Sequence, residues 1–299
     1  MRSTGVSGDR ISDALLHDSN TPPLRFQESG RIMSRIGKRF EELRAAKEGG
    51  LVCFVTAGDP DIETTRKIIL EMAKAGADII EVGIPFSDPI ADGPSIQAAS
   101  MRSLANGTTP ETVFDLVSDV RRESEVPLVL MTYYNPVYRY GIARFAEDCA
   151  NAGVDGVIVT DVIPEEAPEW KAAADIEGVD TIFLLAPTST EDRISRVAHL
   201  SEGFIYCVSR TGVTGRQTDL AQGVRDLVAL IRARTEKPVV VGFGISTPAH
   251  VREVCEYADG AVVGSLLVDR IAAKSGAPDL LSEVHGLVAS LKAGTQGSR

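Results

Sequence analysis

From residue 51 onward, short apolar runs alternate along the chain with amphipathic stretches of helical period. The apolar runs predict eight strands: 51–56, 78–83, 127–132, 154–160, 179–185, 203–208, 238–243 and 260–264. They are apolar throughout rather than at every second position, which is typical of parallel strands with both faces covered. The pattern therefore predicts a parallel sheet wrapped by helices.

Helical patterns fill the intervals between the strands. The first opens at Met33, places Ile36, Phe40 and Leu43 on one stripe, and ends at Gly49-Gly50. Asp59-Pro60, Thr109-Pro110 and Thr247-Pro248 are predicted helix starts, the first of these helices ends at Gly76, and further helices are expected near 141–152, 165–176, 190–199, 219–235 and 266–292. Eight strand–helix units predict an α/β fold of the (β/α)8 TIM-barrel class. A doubly wound sheet is the alternative, but it usually has fewer strands and often a glycine-rich first turn, and that turn here reads TAGDP.

The two ends of the chain lack this alternation. Residues 1–32 are rich in Ser, Thr, Gly and Asp and contain Pro22-Pro23, so we expect a disordered tail there. Met33, where the first helical pattern opens, is a candidate for the true start of the chain. The predicted barrel spans 33–293 as a single domain, followed by a disordered C-terminus at 294–299.

Composition narrows the function classes. The 299 residues include 31 Lys and Arg against 42 Asp and Glu, a formal net charge of −11, which argues against binding to nucleic acid or an anionic membrane. There is no apolar run of about 18 residues that would span a bilayer, and the N-terminus has no secretory apolar segment. The four cysteines lie far apart in sequence, which favours buried thiols in a cytoplasmic protein: Cys53, Cys149, Cys207 and Cys255.

The active site of such a barrel forms at the carboxyl ends of its strands. No lysine lies at such an end, since Lys237 precedes a strand, so a Schiff-base aldolase would lack its nucleophile. The four histidines fall in the tail or in predicted helices, so a zinc-dependent lyase would lack its ligands. Carboxylates, hydroxyls and backbone amides remain as candidate chemical groups.

Glu81 stands inside the second apolar strand, DIIEVG. A buried carboxyl group there either pairs with a cation or has a raised pKa and acts as a general acid or base. The following loop, 83–95, combines Asp88 and Asp92 with prolines and apolar residues. We expect it to pack on a ligand or a partner, the alternative being a rigid loop that is simply buried.

Two later segments are typical of a phosphate cradle. Gly242, Gly244 and Ser246 precede a helix start after the seventh strand, and Gly264-Ser265 do so after the eighth. The segment SRTGVTGR, 209–216, is a candidate mobile lid, with ordinary turn chemistry as the alternative. Tyr206 lies in the sixth strand, and Tyr133 and Asn135 end the third. Each of the two tyrosines either joins the core or flanks an aromatic substrate.

Together these segments resemble the alpha subunit family of tryptophan synthase, from about Met33 to Leu291. The most specific segment is EVGIPFSDPIADGPSIQ, 81–97. It is supported, in order, by FVTAGDP (54–60), LMTYYNPV (130–137), SRTGVTG (209–215), GFGIS (242–246) and VVGS (262–265). One departure is TDVIPEE, 160–166, where the spacing from Asp to Pro is one residue longer than the family pattern, which loosens the assignment near Ile158.

The resemblance implies a lyase of tryptophan biosynthesis that cleaves indole-3-glycerol phosphate to indole and glyceraldehyde 3-phosphate by retro-aldol chemistry. It implies that Glu81 and Asp92 are the catalytic residues. It places the substrate-binding residues at Phe54, Tyr133, Ile158, Tyr206, Thr214, Gly215, Gly244, Gly264 and Ser265.

The resemblance also implies an assembly. The partner would be a beta subunit in an alpha2-beta2 tetramer, and the pyridoxal phosphate cofactor would belong to that partner, with no cofactor or metal in this chain. Two alternatives stay open. One is a different phosphate-binding barrel, such as a sugar-phosphate isomerase, which would share GFGIS and VVGS but not the segment from Glu81. The other is a non-catalytic barrel that activates a partner, against which an intact Glu81 and Asp92 argue.

Overall fold

The computed structural model describes residues 33–208, 217–242 and 244–297, with the backbone alone at 217–221. Within these ranges nine strand segments form one parallel sheet in the order β5-β4-β3-β2-β1-β9-β8-β7-β6. They are β1 Gly50–Thr56, β2 Ile79–Gly83, β3 Leu128–Thr132, β4 Gly156–Val159, β5 Asp180–Ile182, β6 Leu184–Leu185, β7 Ile205–Val208, β8 Val239–Gly242 and β9 Gly260–Val263.

The two outermost segments in this order, β5 and β6, are separated in sequence by Phe183 alone. The predicted single strand 179–185 is therefore wrong in one respect: it is two pieces, because the chain pairs with β4 before Phe183 and with β7 after it. At the break, the Phe183 carbonyl accepts a hydrogen bond from the Tyr206 N–H at 3.1 Å. The segments thus curl into a barrel, and the predicted TIM-barrel class is confirmed.

Twelve α-helices occur in the described ranges, together with one 3-10 turn. They are α1 Arg35–Ala46, α2 Ile62–Lys74, α3 Pro94–Ala105, α4 Pro110–Arg121, α5 Tyr134–Tyr140, α6 Ile142–Ala152, α7 Pro168–Glu177, α8 Glu191–Leu200, α9 Gln217–Arg232, α10 Pro248–Cys255, α11 Ser265–Ala273, α12 Leu280–Lys292 and the turn Ala293–Thr295. None of these helices is long and apolar enough to cross a membrane.

The helices differ from the sequence prediction at four places. α3 and α5 were not predicted, and the predicted helix 266–292 is two helices, α11 and α12, with Gly276 between them at φ 74°. α2 is capped by Asp61 rather than by Asp59, because the Asp61 carboxylate accepts the Thr64 N–H at 2.7 Å. At the other end of the chain Thr295 is buried, and its carbonyl accepts the Gly49 N–H at 3.1 Å, so the packed chain extends past residue 293.

The core has two layers. One lies between the sheet and the surrounding helices and includes all four cysteines, each of which is buried. The other fills the barrel interior and includes residues of α1, which covers one end of the barrel. Phe40 of α1 packs edge-on against Phe204, with ring centroids 6.0 Å apart. The interior layer consists of Ile36, Phe40, Leu43, Val52, Ile79, Val129, Ile158, Ile182, Phe204, Tyr206, Val240 and Val262.

Aspartates fasten the amino ends of the strands. Asp78, Asp155 and Asp259 each immediately precede or lie next to a strand start, and each accepts the first available N–H of a neighbouring strand, from Leu51, Leu128 and Val239 respectively. Asp78 also binds Arg39 of α1 and Lys292 of α12. This end of the barrel is a stability feature, opposite the carboxyl ends where the candidate site lies.

Candidate active site

Glu81 points into the barrel interior from β2. It lies opposite Phe54 of β1 and Val129 of β3 in the parallel register, and it is fully buried. Neither carboxyl oxygen has a hydrogen-bond partner in the described part of the chain. Burial without a compensating partner raises the pKa of Glu81 to about 8. The side chain is therefore an uncharged acid at neutral pH, and the alternative of an internal ion pair finds no partner among the described residues.

Asp92 follows β2 in the loop that leads to α3, and it is half-buried. Burial raises the pKa of Asp92 to about 6, and a hydrogen bond from the Tyr133 hydroxyl offsets part of the rise. The same Tyr133 oxygen accepts the Ala91 N–H at 3.0 Å. Tyr133 thereby holds both the Asp92 carboxyl group and the backbone of the preceding residue. With a pKa of about 6 the carboxyl group is ionised at neutral pH.

A cleft opens beside Asp92 at the carboxyl ends of β1, β2 and β3, and Glu81 lies two residues before Gly83 of its lining without itself reaching the cleft surface. One side is apolar, with Ile96 and Met131 packed against a cluster that contains Phe54. The Phe54 ring occupies the space that a side chain at Gly83 would need, since a Cβ there would lie 2.7 Å from the ring. The residues that line the cleft are Phe54, Thr56, Gly83, Ile84, Asp92, Ile96, Ser100, Met131, Thr132 and Tyr133. The cleft has a volume of about 10 Å³, room for about one water molecule, so an aromatic ring would enter only with movement of the lining side chains. Its apolar side and the Asp92 carboxylate would then offer a contact surface and an acceptor for a ring N–H.

Tyr206 reaches the same region from β7. Burial, reinforced by the nearby Glu81 and Asp92 carboxyl groups, raises the pKa of Tyr206 well above its usual value. The ring lies across Gly242, where a Cβ would come within 2.6 Å of the tyrosine hydroxyl oxygen. Gly242 therefore makes room for Tyr206, a role that the prediction of a phosphate cradle did not include.

Ile158 is fully buried in the barrel wall and pairs with Met131, which lines the cleft. The predicted aromatic contacts thus fall on one side of the barrel mouth, at Phe54 and Tyr133, with Ile158 behind them. Sequence reasoning missed Ile96 and Ser100, because α3 was not predicted. Pro94 directly after Asp92-Gly93 was the available signal, since proline favours the first position of a helix.

The predicted phosphate residues lie at helix starts on the β8 and β9 side. Gly264 precedes α11 without a side-chain cap, and Ser265 is the exposed first residue of that helix. Gly264 also borders the aromatic cleft, since a Cβ there would lie 3.7 Å from Phe54 Cβ. Gly244 is exposed, with φ at 48°, and nothing lies within 4 Å of the position of its Cβ. Thr214, Gly215 and the candidate lid 209–216 lie outside the described residues.

Among the residues that the structure covers, no group of three or more His, Cys, Asp or Glu side chains is arranged to hold a metal ion. The titratable groups brought together at the barrel mouth are instead the two carboxyl groups and the two tyrosines. Fold and site together define a barrel enzyme equipped for acid–base chemistry on an aromatic substrate.

Comparison with known proteins gives this class a family. Residues 40–296 match the family described as tryptophan synthase alpha chain. The chain is 55% identical over 264 residues to the tryptophan synthase alpha chain of Geotalea uraniireducens, covering 88% of this chain and 98% of that one. It is 52% identical over 268 residues to that of Geobacter sp. strain M21, covering 89% and 100%. The chain therefore belongs to the tryptophan synthase alpha chain family.

Solved structures agree with this assignment. The tryptophan synthase subunit alpha of Legionella pneumophila superposes with a TM-score of 0.81 at 35% identity, covering 88% of this chain and 99% of that one. A chain from the aminoacrylate-bound tryptophan synthase of Mycobacterium tuberculosis superposes with a TM-score of 0.80 at 35% identity, covering 88% and 100%.

Proposed function

We propose that this chain cleaves indole-3-glycerol phosphate to indole and glyceraldehyde 3-phosphate, with Glu81 and Asp92 as its catalytic residues. The family is that of a carbon–carbon lyase of tryptophan biosynthesis, and the buried chemistry suits that reaction. The observation that carries the proposal is Glu81, a carboxyl group inside an apolar barrel whose raised pKa keeps it protonated at neutral pH.

The first step needs the indole ring to become an electron sink. Glu81 delivers its proton to indole C3, and the ring becomes a cation that can accept the electrons of the neighbouring carbon–carbon bond. Asp92, ionised at the rim of the cleft, accepts the indole N–H and stabilises the positive charge.

The second step breaks the bond between indole C3 and the glycerol carbon. Its electron pair returns to the ring and restores indole, while the hydroxyl group on the departing carbon loses its proton and becomes an aldehyde. Glu81, left ionised by the first step, accepts that proton and so returns to its starting state. Tyr206 is a poor candidate for this base, because its raised pKa keeps the phenol protonated at neutral pH.

The remaining predicted residues bind the two ends of the substrate. Phe54, Tyr133 and Ile158 form the aromatic side, and Tyr206 adjoins the reacting centre. Backbone N–H groups at Gly244, Gly264 and Ser265 hold the phosphate at the starts of α10 and α11, and Thr214 and Gly215 complete that site from the lid. A Cβ on Gly264 would lie 3.7 Å from Phe54 Cβ, and this proximity supports a phosphate end that adjoins the aromatic end.

Purified protein supplied with indole-3-glycerol phosphate is the direct test. We expect release of indole in step with glyceraldehyde 3-phosphate. Turnover of a sugar-phosphate isomerase substrate in its place would favour the alternative of another phosphate-binding barrel. No turnover of either, by a protein that still activates a partner, would favour the non-catalytic alternative.

A beta subunit is the proposed partner, in an alpha2-beta2 tetramer that carries pyridoxal phosphate in the beta chains and works in the cytoplasm. The support is the family, the structure from M. tuberculosis, and an apolar surface beside the cleft where Ile90 is 83% and Met101 58% exposed. Passing indole directly to a partner would also retain an apolar product that otherwise crosses membranes.

We expect the cognate beta subunit to raise turnover by ordering loop 83–95 and the lid. A beta subunit that neither binds nor changes turnover would contradict this assembly.

A further inference from the structure

Helix α3 joins two loops at the barrel mouth. It begins at Pro94, two residues after Asp92, and ends at Ala105 against the loop between β1 and α2. Two of its residues, Ile96 and Ser100, line the cleft. The helix is thus a rigid element shared by the catalytic loop and the substrate wall.

The amino-terminal part of α3 holds the catalytic loop. The Gln97 side-chain amide donates hydrogen bonds to the carbonyl of Asp92 at 3.0 Å and to the carbonyl of Pro89 at 3.3 Å. The Gln97 N–H donates to the Gly93 carbonyl at 3.0 Å. Any shift of α3 therefore moves the backbone that carries the Asp92 carboxylate.

The carboxyl-terminal part of α3 is clamped to the β1–α2 loop. Arg102 grips Asp59 with both arms of its guanidinium group, at 2.8 Å from Nε to Oδ1 and 2.7 Å from Nη2 to Oδ2. Ser103 donates to the Ala57 carbonyl, and Asn106 donates to the Gly58 carbonyl at 3.1 Å. Asp59 is only 3% exposed, so this bidentate pair is the charged contact of the clamp and resists sliding of the helix.

The loop that receives the clamp is itself fixed to the strand of Glu81. The Ala57 N–H donates to the carbonyl of Gly83, the last residue of β2, at 2.9 Å. A short chain of contacts therefore runs from the end of β2, through the clamp and α3, to the Asp92 loop. These contacts join the strand of Glu81 to the loop of Asp92.

We infer that Arg102 is a positioning residue for the reaction, which acts through Asp59 and α3 to hold Asp92 in register with Glu81. The inference rests on the proposed function of Asp92. Arg102 does not line the cleft, so its effect on chemistry should pass through α3, which carries the contacts to the Asp92 loop and also Ile96 and Ser100 of the cleft wall. Asp269 of α11 also lies near the Arg102 guanidinium, but it takes no part in the bidentate grip.

A double-mutant cycle tests the inference. Arg102→Ala should lower kcat roughly ten- to a hundredfold, the loss typical of a small misplacement of a catalytic group, with a smaller change in KM. In an Asp92→Asn background the same change should cost less than about threefold, because there is no carboxylate left to misplace. Arg102→Lys, which keeps the charge but not the fork, should fall between Ala and the unaltered protein.

The other outcomes of the cycle distinguish a structural role of Arg102 from a positioning role. Equal losses in both backgrounds, or a melting temperature that drops with kcat unchanged, would show that Arg102 is only structural. If Arg102→Ala does not fold, the cycle is completed with Arg102→Lys and the neutral pair Asp59→Asn with Arg102→Leu. Arg122→Ala is the matched control, since it removes an exposed arginine paired with Asp119 on α4 and should change neither quantity. Full turnover in Asp92→Asn itself would overturn the proposed role of Asp92, whereas slow turnover there with additive losses would overturn the positioning role alone.

Discussion

At the scale of single residues, the site keeps two carboxyl groups in opposite protonation states. Glu81, with no partner among the described residues and a pKa near 8, is protonated at neutral pH, while Asp92, with a pKa near 6, is ionised. Glu81 is fully buried, whereas Asp92 accepts a hydrogen bond from Tyr133 and is partly exposed to solvent. Environments that push the two pKa values apart assign the acid and the charge-stabilising base.

This arrangement predicts a bell-shaped dependence of kcat/KM on pH. Activity should rise as Asp92 ionises through about pH 6 and fall as Glu81 loses its proton through about pH 8. Initial rates between pH 5 and 9.5 would show both limbs. Asp92→Asn should lose the acidic limb and keep the alkaline one. An alkaline limb that persists in Glu81→Gln would contradict the assignment of that limb.

Some of these residues were predictable and others were not. Glu81 was, because a carboxylate within a run of isoleucine and valine contradicts its surroundings, and its neighbours in sequence are its neighbours in the strand. The reason for Gly242 was not, because it is the ring of Tyr206, which lies on a different strand 36 residues earlier. Asp92 acquired a role in the sequence only through the family resemblance, since the tyrosine that holds it comes from β3.

At the scale of elements, the amino ends of the strands are tied to helices by buried charge. Asp78 accepts the Leu51 N–H and binds both Arg39 of α1 and Lys292 of α12, with its side chain fully shielded from solvent. α1, which precedes the first strand, and α12, which follows the last strand, are thus bound to the same carboxylate.

Asp78→Ala should destabilise the fold strongly and leave the chemistry intact. It leaves one strand N–H without an acceptor, and Arg39 and Lys292 keep only the more exposed Glu42 and Glu48 as partners. Breaking a buried pair typically costs about 3–5 kcal/mol, and these remaining partners place the expected loss at the lower end of that range. Denaturant unfolding would measure the loss, and turnover under native conditions should stay near that of the unaltered protein. Asp119→Ala on the exposed face of α4 is the control, with an expected cost of about 0–1 kcal/mol. A loss of kcat in folded Asp78→Ala would contradict the separation of stability and activity between the two ends.

The strands were easier to predict than the helices. Buried parallel strands are recognisable in the sequence as uninterrupted apolar runs, and eight such runs were enough to predict the fold class. α3 begins at Pro94 after a loop that contains two further prolines, and α5 contains Pro136. The packing of α3 depends on contacts such as that of Arg102 with Asp59, which link segments distant in sequence. The split of the fifth strand at Phe183 depends on which neighbour each half pairs with, and no local pattern records that choice.

At the scale of the whole molecule, the relatives define the part that the function needs. The match to the protein of Geobacter sp. strain M21 covers 268 residues here and all of that relative. We predict that residues 1–32 are dispensable, and that their deletion leaves melting temperature and turnover unchanged within error. Thermal melts and indole release measured on the full and shortened chains would check this. A large loss of either quantity would show that the segment contributes to the barrel.

The central claim is that Glu81 supplies the proton, and the Glu81→Gln variant tests it most directly. Above the usual glutamate pKa the unfolded chain ionises while the folded chain stays protonated, so Glu81 costs the fold up to about 1.4 kcal/mol for each pH unit as pH rises toward 8. Glutamine removes that cost but cannot deliver a proton. We expect a variant that melts at or above the temperature of the unaltered protein at pH 8 and turns over indole-3-glycerol phosphate roughly 10²–10⁴-fold more slowly. A folded variant with turnover near that of the unaltered protein would contradict the claim, and so would a loss of several kcal/mol in stability, which would indicate that Glu81 belongs to a structural ion pair.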